Sequence, residues 1–256
     1  MREKPLVSII MPAYNSENYM ESSINSVIKQ TYENWELLII DDASSDSTRE
    51  IAHKYADGEK IRLIVNDKNV GVSQSRNRGI HEAKGHWVAF LDSDDLWEPE
   101  KLGKQMDFLE KEDKARLVFT GSAFINEQGK RAEYILEVPE KVMFRRLLKQ
   151  NIISCSSVVV QKELLLQYQM PGDHLHEDYS VWLRILSGGE MAYGINDPLL
   201  IYRVSTGSKS GNKWKAAKMQ FRVYRYMGIN VFGSLYYMMW YTFLNLRKYR
   251  NIYKTL

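Results

Sequence analysis

The chain is predicted to be an α/β protein: a Rossmann-like, mostly parallel central sheet with helices on both faces, followed by a C-terminal helical extension. Three observations carry this. Short apolar runs alternate with amphipathic stretches over the first 125 residues, the order that builds right-handed βαβ crossovers. The runs LVSIIM (6–11), WELLII (35–40) and VAFL (88–91) are almost continuously apolar, as strands covered on both faces are. Each run then stops abruptly, at Pro12-Ala13-Tyr14, at Asp41-Asp42 and at Asp92 to Asp95. Successive crossovers bring these three stops to one edge of the sheet, where open α/β folds bind their ligands.

Taken in order, the first strand is closed by Pro12, and residues 17–30 place Tyr19, Met20, Ile24, Val27 and Ile28 at helical spacing, with Ser16 positioned to cap. The second strand (35–40) ends in Asp41-Asp42, Asp46 opens a helix to residue 56, and 61–65 is the third strand. Asn69 and Gly71 turn into a helix over 72–83, which Gly85 ends before the strand at 88–91. A helix over 98–111, a strand over 117–125 and a hairpin turn at 126–129 follow. The second half is more mixed: helix 142–149, strand 156–160, helix 179–186 and strand 199–202.

Composition narrows the function. The 256 residues suit one large domain with an appendage, and 44% hydrophobic content is ordinary for a folded chain. The single Cys155, in SCSSVVV, excludes a disulfide framework and reads as a small buried residue, not a nucleophile. The N-terminal apolar run is short and closed by a proline, so it reads as a strand, not a signal peptide. No GxGxxG follows the first strand and no GxxxxGK[ST] occurs, which removes support from dinucleotide and P-loop sites.

The stretch LDSDD (91–95) puts three carboxylates in four positions. Unpaired they cannot be core, because a buried lone charge costs several kcal/mol. Clustered carboxylate oxygens suit Mg²⁺, Mn²⁺ or Ca²⁺, although Leu96-Trp97 break an EF-hand loop. The competing reading is capping, with Asp94 or Asp95 covering a helix that begins near Pro99. A strand followed by DxD also suits a phosphohydrolase with Asp92 as nucleophile, and a nucleotide-binding adaptor without catalysis is a third class.

Five segments together carry a family resemblance: PAYN (12–15), WELLIIDDASSD (35–46), NVGVSQSRNRGI (69–80), LDSDD (91–95) and HEDYSVWLRI (176–185). Their order and spacing, over about residues 5–210, resemble family-2 inverting glycosyltransferases of the GT-A fold. The whole chain, including SGNKWKAAK (210–218), is similar to bacterial transferases of teichuronic acid, capsule or O-antigen synthesis. The resemblance implies a GT-A catalytic domain over 1–210, with a nucleotide-binding half to about residue 97 and an acceptor half beyond it. It further implies a UDP-sugar donor, a lipid-linked glycan acceptor and a divalent Mn²⁺ or Mg²⁺.

The matching positions give each residue an implied role. Asp94 is the metal ligand, Asp92 with Ser93 lies nearer the ribose and the metal's waters, and Asp95 is left to cap the next helix. Asp42 accepts from the uracil ring N–H, an imide donor that an ionised carboxylate suits. Tyr14 stacks on the ring, with Pro12 and Ala13 against it, and Asn69 and Arg76 support the donor site. Asp178 is the catalytic base that takes the acceptor hydroxyl's proton, and Glu177 orients the acceptor or its loop. There is one departure: where many relatives carry a His near the metal, this chain has Ser205. Arg203, Lys209 and the loop at Gly207 are then expected to hold the diphosphate.

The tail (211–256) has a different character. From Pro198 to Leu256 there are eleven Lys or Arg and no Asp or Glu, leaving 24 basic against 32 acidic side chains in residues 1–197. Lys215, Lys218, Arg222 and Arg225 fall on one helix face, and Trp214, Ala217, Phe221 and Tyr224 on another. Residues 226–246 carry no charge but many tyrosines. A basic, aromatic surface over 213–254 suits the inner face of a cell membrane, and the uncharged run at 226–246 also approaches the length of a span, although its polar residues and tyrosines favour the interface. Packing on the body or on a second copy in a homodimer is the competing reading. No RNA- or DNA-binding motif accompanies it.

Overall fold

A computed structural model describes residues 4–204 and 213–255, apart from the side chains of Lys213 and Lys215. The expectations placed on Ser205, Gly207, Lys209 and Lys215, and the boundary near 210, lie outside what is described.

Ten strands form one sheet among the described residues: β1 (Val7–Ala13), β2 (Trp35–Asp41), β3 (Ile61–Val65), β4 (Trp87–Phe90), β5 (Leu96–Trp97), β6 (Leu117–Ile125), β7 (Arg131–Leu136), β8 (Lys141–Val142), β9 (Val159–Gln161) and β10 (Ala192–Arg203). Their order is β3-β2-β1-β4-β9-β6-β10-β5, with β7 beside β6 and β8 beside β10. The β3-β2-β1-β4 half is parallel throughout, and β6 and β10 run the same way. Antiparallel β9 and β5 interrupt the pattern. The α/β, mostly parallel architecture expected from the sequence is therefore present.

The helices are α1 (Met20–Ile28), α2 (Thr48–Tyr55), α3 (Val72–Glu82), α4 (Lys101–Lys111), α5 (Phe144–Leu147), α6 (Lys162–Gln167), α7 (Glu177–Ser187), α8 (Lys213–Tyr226) and α9 (Val231–Thr255). Alternate residues of β1 feed two cores. Val7, Ile9 and Met11 meet Met20 and Ile24 of α1, Ala52 of α2 and Leu102 of α4, while Ile10 meets Ile80 of α3 and Tyr179 and Trp182 of α7. Strands covered on both faces explain the unbroken apolar runs. Pro12 is tolerated inside β1 because the pairing with β4 has already ended at Ile10, so its missing N–H leaves no partner unsatisfied.

Two local expectations are corrected. Ser16 does not cap with its hydroxyl: α1 begins four residues later, and Ser16 Oγ instead bonds Ser93 Oγ at 2.8 Å, joining the β1 and β4 loops. Asp95 caps no helix, because α4 starts only at Lys101, beyond β5. It is buried, and its Oδ1 accepts the Arg203 N–H at 2.9 Å. On α8, Met219, Gln220, Val223 and Tyr224 form the buried face, and Trp214 is 89% exposed. The hairpin turn at 126–129 is present, with Gly129 in the left-handed region at φ 81° and its N–H on the Asn126 carbonyl.

The tail packs on the body. Tyr224 Oη donates to the Leu148 carbonyl at 2.8 Å, Tyr241 lies 6.1 Å from the Tyr179 ring, and Ile252 joins Phe124, Ala132 and Leu136 in a small core.

Candidate active site

Strand order reverses at β1, between β2 and β4, and the chain leaves both β1 and β4 at the same edge. This is the crevice predicted for ligand binding. Tyr14 stands at its rim, 51% exposed. Asp42, just past β2, is buried, and its carboxylate accepts the N–H groups of Val70 (3.0 Å) and Gly71 (2.8 Å) and the Asn66 amide (2.7 Å). It thereby fixes the turn that carries exposed Asn69 into α3. Three bonds on a group with about four acceptor sites leave one site for a further donor.

Arg76, on α3, is the hinge between the halves. It is buried, and its two terminal nitrogens reach Asp92 Oδ1 at 2.5 Å and Glu177 Oε1 at 3.0 Å. Two half-buried carboxylate partners hold the guanidinium firmly charged despite its desolvation. The ion pairs thus bring LDSDD and HEDYS, about 80 residues apart in sequence, to one place. Asp92 is fixed further by its own N–H on Ser156 Oγ at 3.0 Å.

Asp94 has no ion pair among the described residues, and burial together with the neighbouring Asp92 pushes its carboxyl up to about 6. The backbone of this loop is braced by Arg203, whose Nε donates to the Asp94 carbonyl at 2.9 Å and whose guanidinium stacks 4.2 Å above Tyr19. Arg203 is buried, and this brace fixes its place in the fold.

Asp178 sits in the first turn of α7, behind His176 at the N-cap position. Burial and the adjacent Glu177 raise it, Arg76 lowers it, and burial prevails, leaving it at about 7. The loop before α7 is seated by Asp173, whose carboxylate accepts the N–H groups of Val72 (3.1 Å) and Ser73 (2.9 Å) at the start of α3. Gly71 allows this approach: a Cβ there would lie 2.1 Å from Asp173 Oδ2, and its φ is 89°.

The resulting pocket, about 200 Å³, is lined by Arg76, Asp92, Asp95, Cys155, Ser156, Glu177 and Asp178, and by Tyr241, Asn245, Lys248 and Tyr249 of α9. Burial pushes the Cys155 thiol up, as expected for an inert thiol. Sequence reasoning missed Asp173, Ser156 and the α9 residues. The last could have been found, because positions 241, 245, 248, 249 and 252 share one helical face.

Among the described residues no three His, Cys, Asp or Glu side chains are arranged to hold a metal ion. Asp94 without a cation partner and the buried Asp95 Oδ2 without a hydrogen bond nonetheless leave carboxylate oxygens open. One or two carboxylates fit a Mg²⁺ or Mn²⁺ that draws its remaining ligands from a substrate diphosphate and water.

The model of Glycosyl transferase family 2 matches residues 8–162. The chain belongs to that family. Among family-2 relatives, the putative teichuronic acid biosynthesis glycosyltransferase TuaG of Bacillus subtilis is 40% identical over 223 residues, covering 87% of this chain and 88% of its own. The Escherichia coli UDP-Glc:alpha-D-GlcNAc-diphosphoundecaprenol beta-1,3-glucosyltransferase WfgD is 37% identical, with 97% of each chain covered. In fold the chain is similar to S. aureus TarS 1–349 in complex with UDP-GlcNAc, with a TM-score of 0.69 at 20% identity. That match covers 85% of this chain and 65% of TarS 1–349. The mannosyltransferase PcManGT of Pyrobaculum calidifontis, in complex with GDP-Man and Mn²⁺, gives a TM-score of 0.67 at 18% identity, covering 88% of this chain and 65% of its own. These are GT-A folds, and this family-2 chain shares theirs. It is a glycosyltransferase, and the phosphohydrolase and adaptor readings give way.

Proposed function

We propose that the protein is an inverting glycosyltransferase moving a sugar from a UDP-sugar to a lipid-linked glycan acceptor in bacterial cell-surface polysaccharide synthesis. The observation that carries the reading is the single pocket holding Asp178, raised to about 7, beside the Arg76–Asp92–Glu177 network. A general base is most effective when its pKa lies near working pH.

In the proposed reaction Asp178 accepts the proton of the acceptor hydroxyl as its oxygen attacks the sugar's anomeric carbon, opposite the departing UDP. One displacement inverts that carbon. Glu177, tied to Arg76, holds the start of α7 in register with Asp92, so the base stays fixed relative to the donor side. Asp42 uses its remaining acceptor site for the uracil N–H, Tyr14 covers the ring, and Asp92 with Ser93 meets the ribose. A divalent cation on Asp94, when bound, would neutralise charge on the leaving diphosphate.

The names of the relatives support the donor and acceptor classes, since WfgD is named for a UDP-Glc donor and a diphosphoundecaprenol acceptor. Membrane-surface attachment is supported by α9: Phe232, Leu235, Met239, Phe243 and Leu246 recur at three- and four-residue spacing and are each more than half exposed. Exposed Arg222, Arg225, Arg247, Arg250 and Lys254 accompany them. Among the described residues no helix is long and apolar enough to cross a membrane. The cytoplasmic side is proposed because nucleotide sugars are used there.

The reading is tested with a panel of UDP- and GDP-sugars, Mg²⁺ or Mn²⁺, and a sugar-diphosphate-lipid acceptor, resolving product configuration by NMR. Transfer from a UDP-sugar with inversion is expected; transfer only from GDP-sugars, or with retention, overturns it.

A further inference from the structure

Helix α9 does two things at once. Its inward residues Tyr241, Asn245, Lys248 and Tyr249 line the active pocket. Its outward residues, Phe232 at 84% exposure, Met239 at 65%, Phe243 at 61% and Leu246 at 62%, form an apolar stripe. A molecule touching both faces would have a polar head and an apolar chain.

Charge in the pocket is unevenly settled. Arg76 is already shared by Asp92 and Glu177. Lys248 is the other cation lining the pocket and makes no ion pair among the described residues. An ammonium drawn from water without an anion is unfavourable unless a ligand supplies one. Burial accordingly pushes it down to about 8, which still leaves it charged at neutral pH. It shares the pocket with the Asn151 to Ser156 segment and the first turn of α7, which carries the proposed base, and with Arg76, Asp92 and Asp95, where the donor side begins. Tyr14, Asp42 and Asn69, the nucleoside side, do not line this pocket.

We propose that Lys248 is a phosphate-binding residue of the active pocket, its ammonium taking an oxygen of the diphosphate that joins the acceptor sugar to its lipid, while the lipid runs out along α9. This rests on the lipid-linked acceptor of the proposed function and adds the residue that reads it. Because the donor also carries a diphosphate, the test must separate the two sources.

Farnesyl diphosphate serves as the probe, titrated calorimetrically into the full-length protein with and without saturating UDP. Wild type is expected to bind it with UDP present, Lys248→Met to bind at least tenfold more weakly, and Lys248→Arg within about threefold of wild type. UDP affinity should be unchanged in both variants. Displacement of the probe by UDP, or a loss of UDP affinity in Lys248→Met, assigns Lys248 to the donor and overturns the proposal. Equal probe binding by Lys248→Met and wild type, or no binding by wild type, overturns it as well. Equal melting temperatures for the variants exclude misfolding. If the probe binds as expected but wild type transfers no sugar to a lipid acceptor, the functional reading fails while the phosphate site stands.

Discussion

Asp178 and Asp94 are the two carboxylates whose environments set them apart at the scale of single residues. With Asp178 raised to about 7, kcat/KM should rise with pH at unit slope and level off above pH 7, because the base must be ionised to accept a proton. A profile flat from pH 5 to 8 would contradict this. Asp94, at about 6 and without an ion pair among the described residues, should lower UDP affinity in Mn²⁺ by tenfold or more when changed to Ala, with little effect in EDTA. Equal losses in both conditions would place its role outside metal binding. Much of this site was legible residue by residue, since acidic runs after apolar strands have few homes in a fold. The assignment of Asp95 to a cap was wrong for a physical reason: it fills a backbone N–H of β10, a strand more than 90 residues downstream, and no local pattern encodes such a partner.

At the scale of elements, the seat between α3 and the loop before α7 positions the base. Asp173 fastens that loop to the α3 N-terminus, where a carboxylate also meets the helix dipole favourably. Asp173→Ala should lower kcat about tenfold and reduce stability by about 1 kcal/mol, in the range of a lost helix cap. Gly71→Ala should be worse on both counts, because its Cβ would collide with Asp173 at a positive φ. Denaturant melts with parallel kinetics check both, and a neutral Gly71→Ala would refute the seat. The first-half elements were readable because parallel strands announce themselves as apolar runs. The 3₁₀ turn at Cys155–Ser157 and the full length of β10 were not, whereas the short α5 falls inside the helix expected over 142–149. β10 was predicted as only 199–202 because a register shift between Ile195 and Leu200 breaks its pattern, and its earlier residues pair with β6 and β8, which no local periodicity reveals.

The whole molecule joins tail to body more closely than its charge asymmetry suggested. The tail buries Met219, Val223, Tyr224 and Ile252, and at about 1.5–3 kcal/mol per buried large side chain this rivals the net stability of a domain. A chain ending at residue 204 should therefore melt at least 10 °C lower or aggregate; an unchanged melting temperature would show the tail to be dispensable. Stability should also depend on pH through the pocket. Asp94 and Asp178 lie above the unfolded carboxylate value, so their contribution is complete below about pH 4 and is lost as pH rises through 6 and 7. Lys248, lowered to about 8, acts in the opposite sense and only at higher pH. Asp178→Asn should thus be more stable than wild type at pH 8, as calorimetry would show. The same variant gives the most direct measurement of the central claim, that Asp178 is the base in a UDP-sugar transfer: kcat for transfer alongside the dissociation constant for UDP. Transfer should fall by at least a thousandfold with UDP affinity within twofold of wild type, whereas transfer at the wild-type rate would contradict the account.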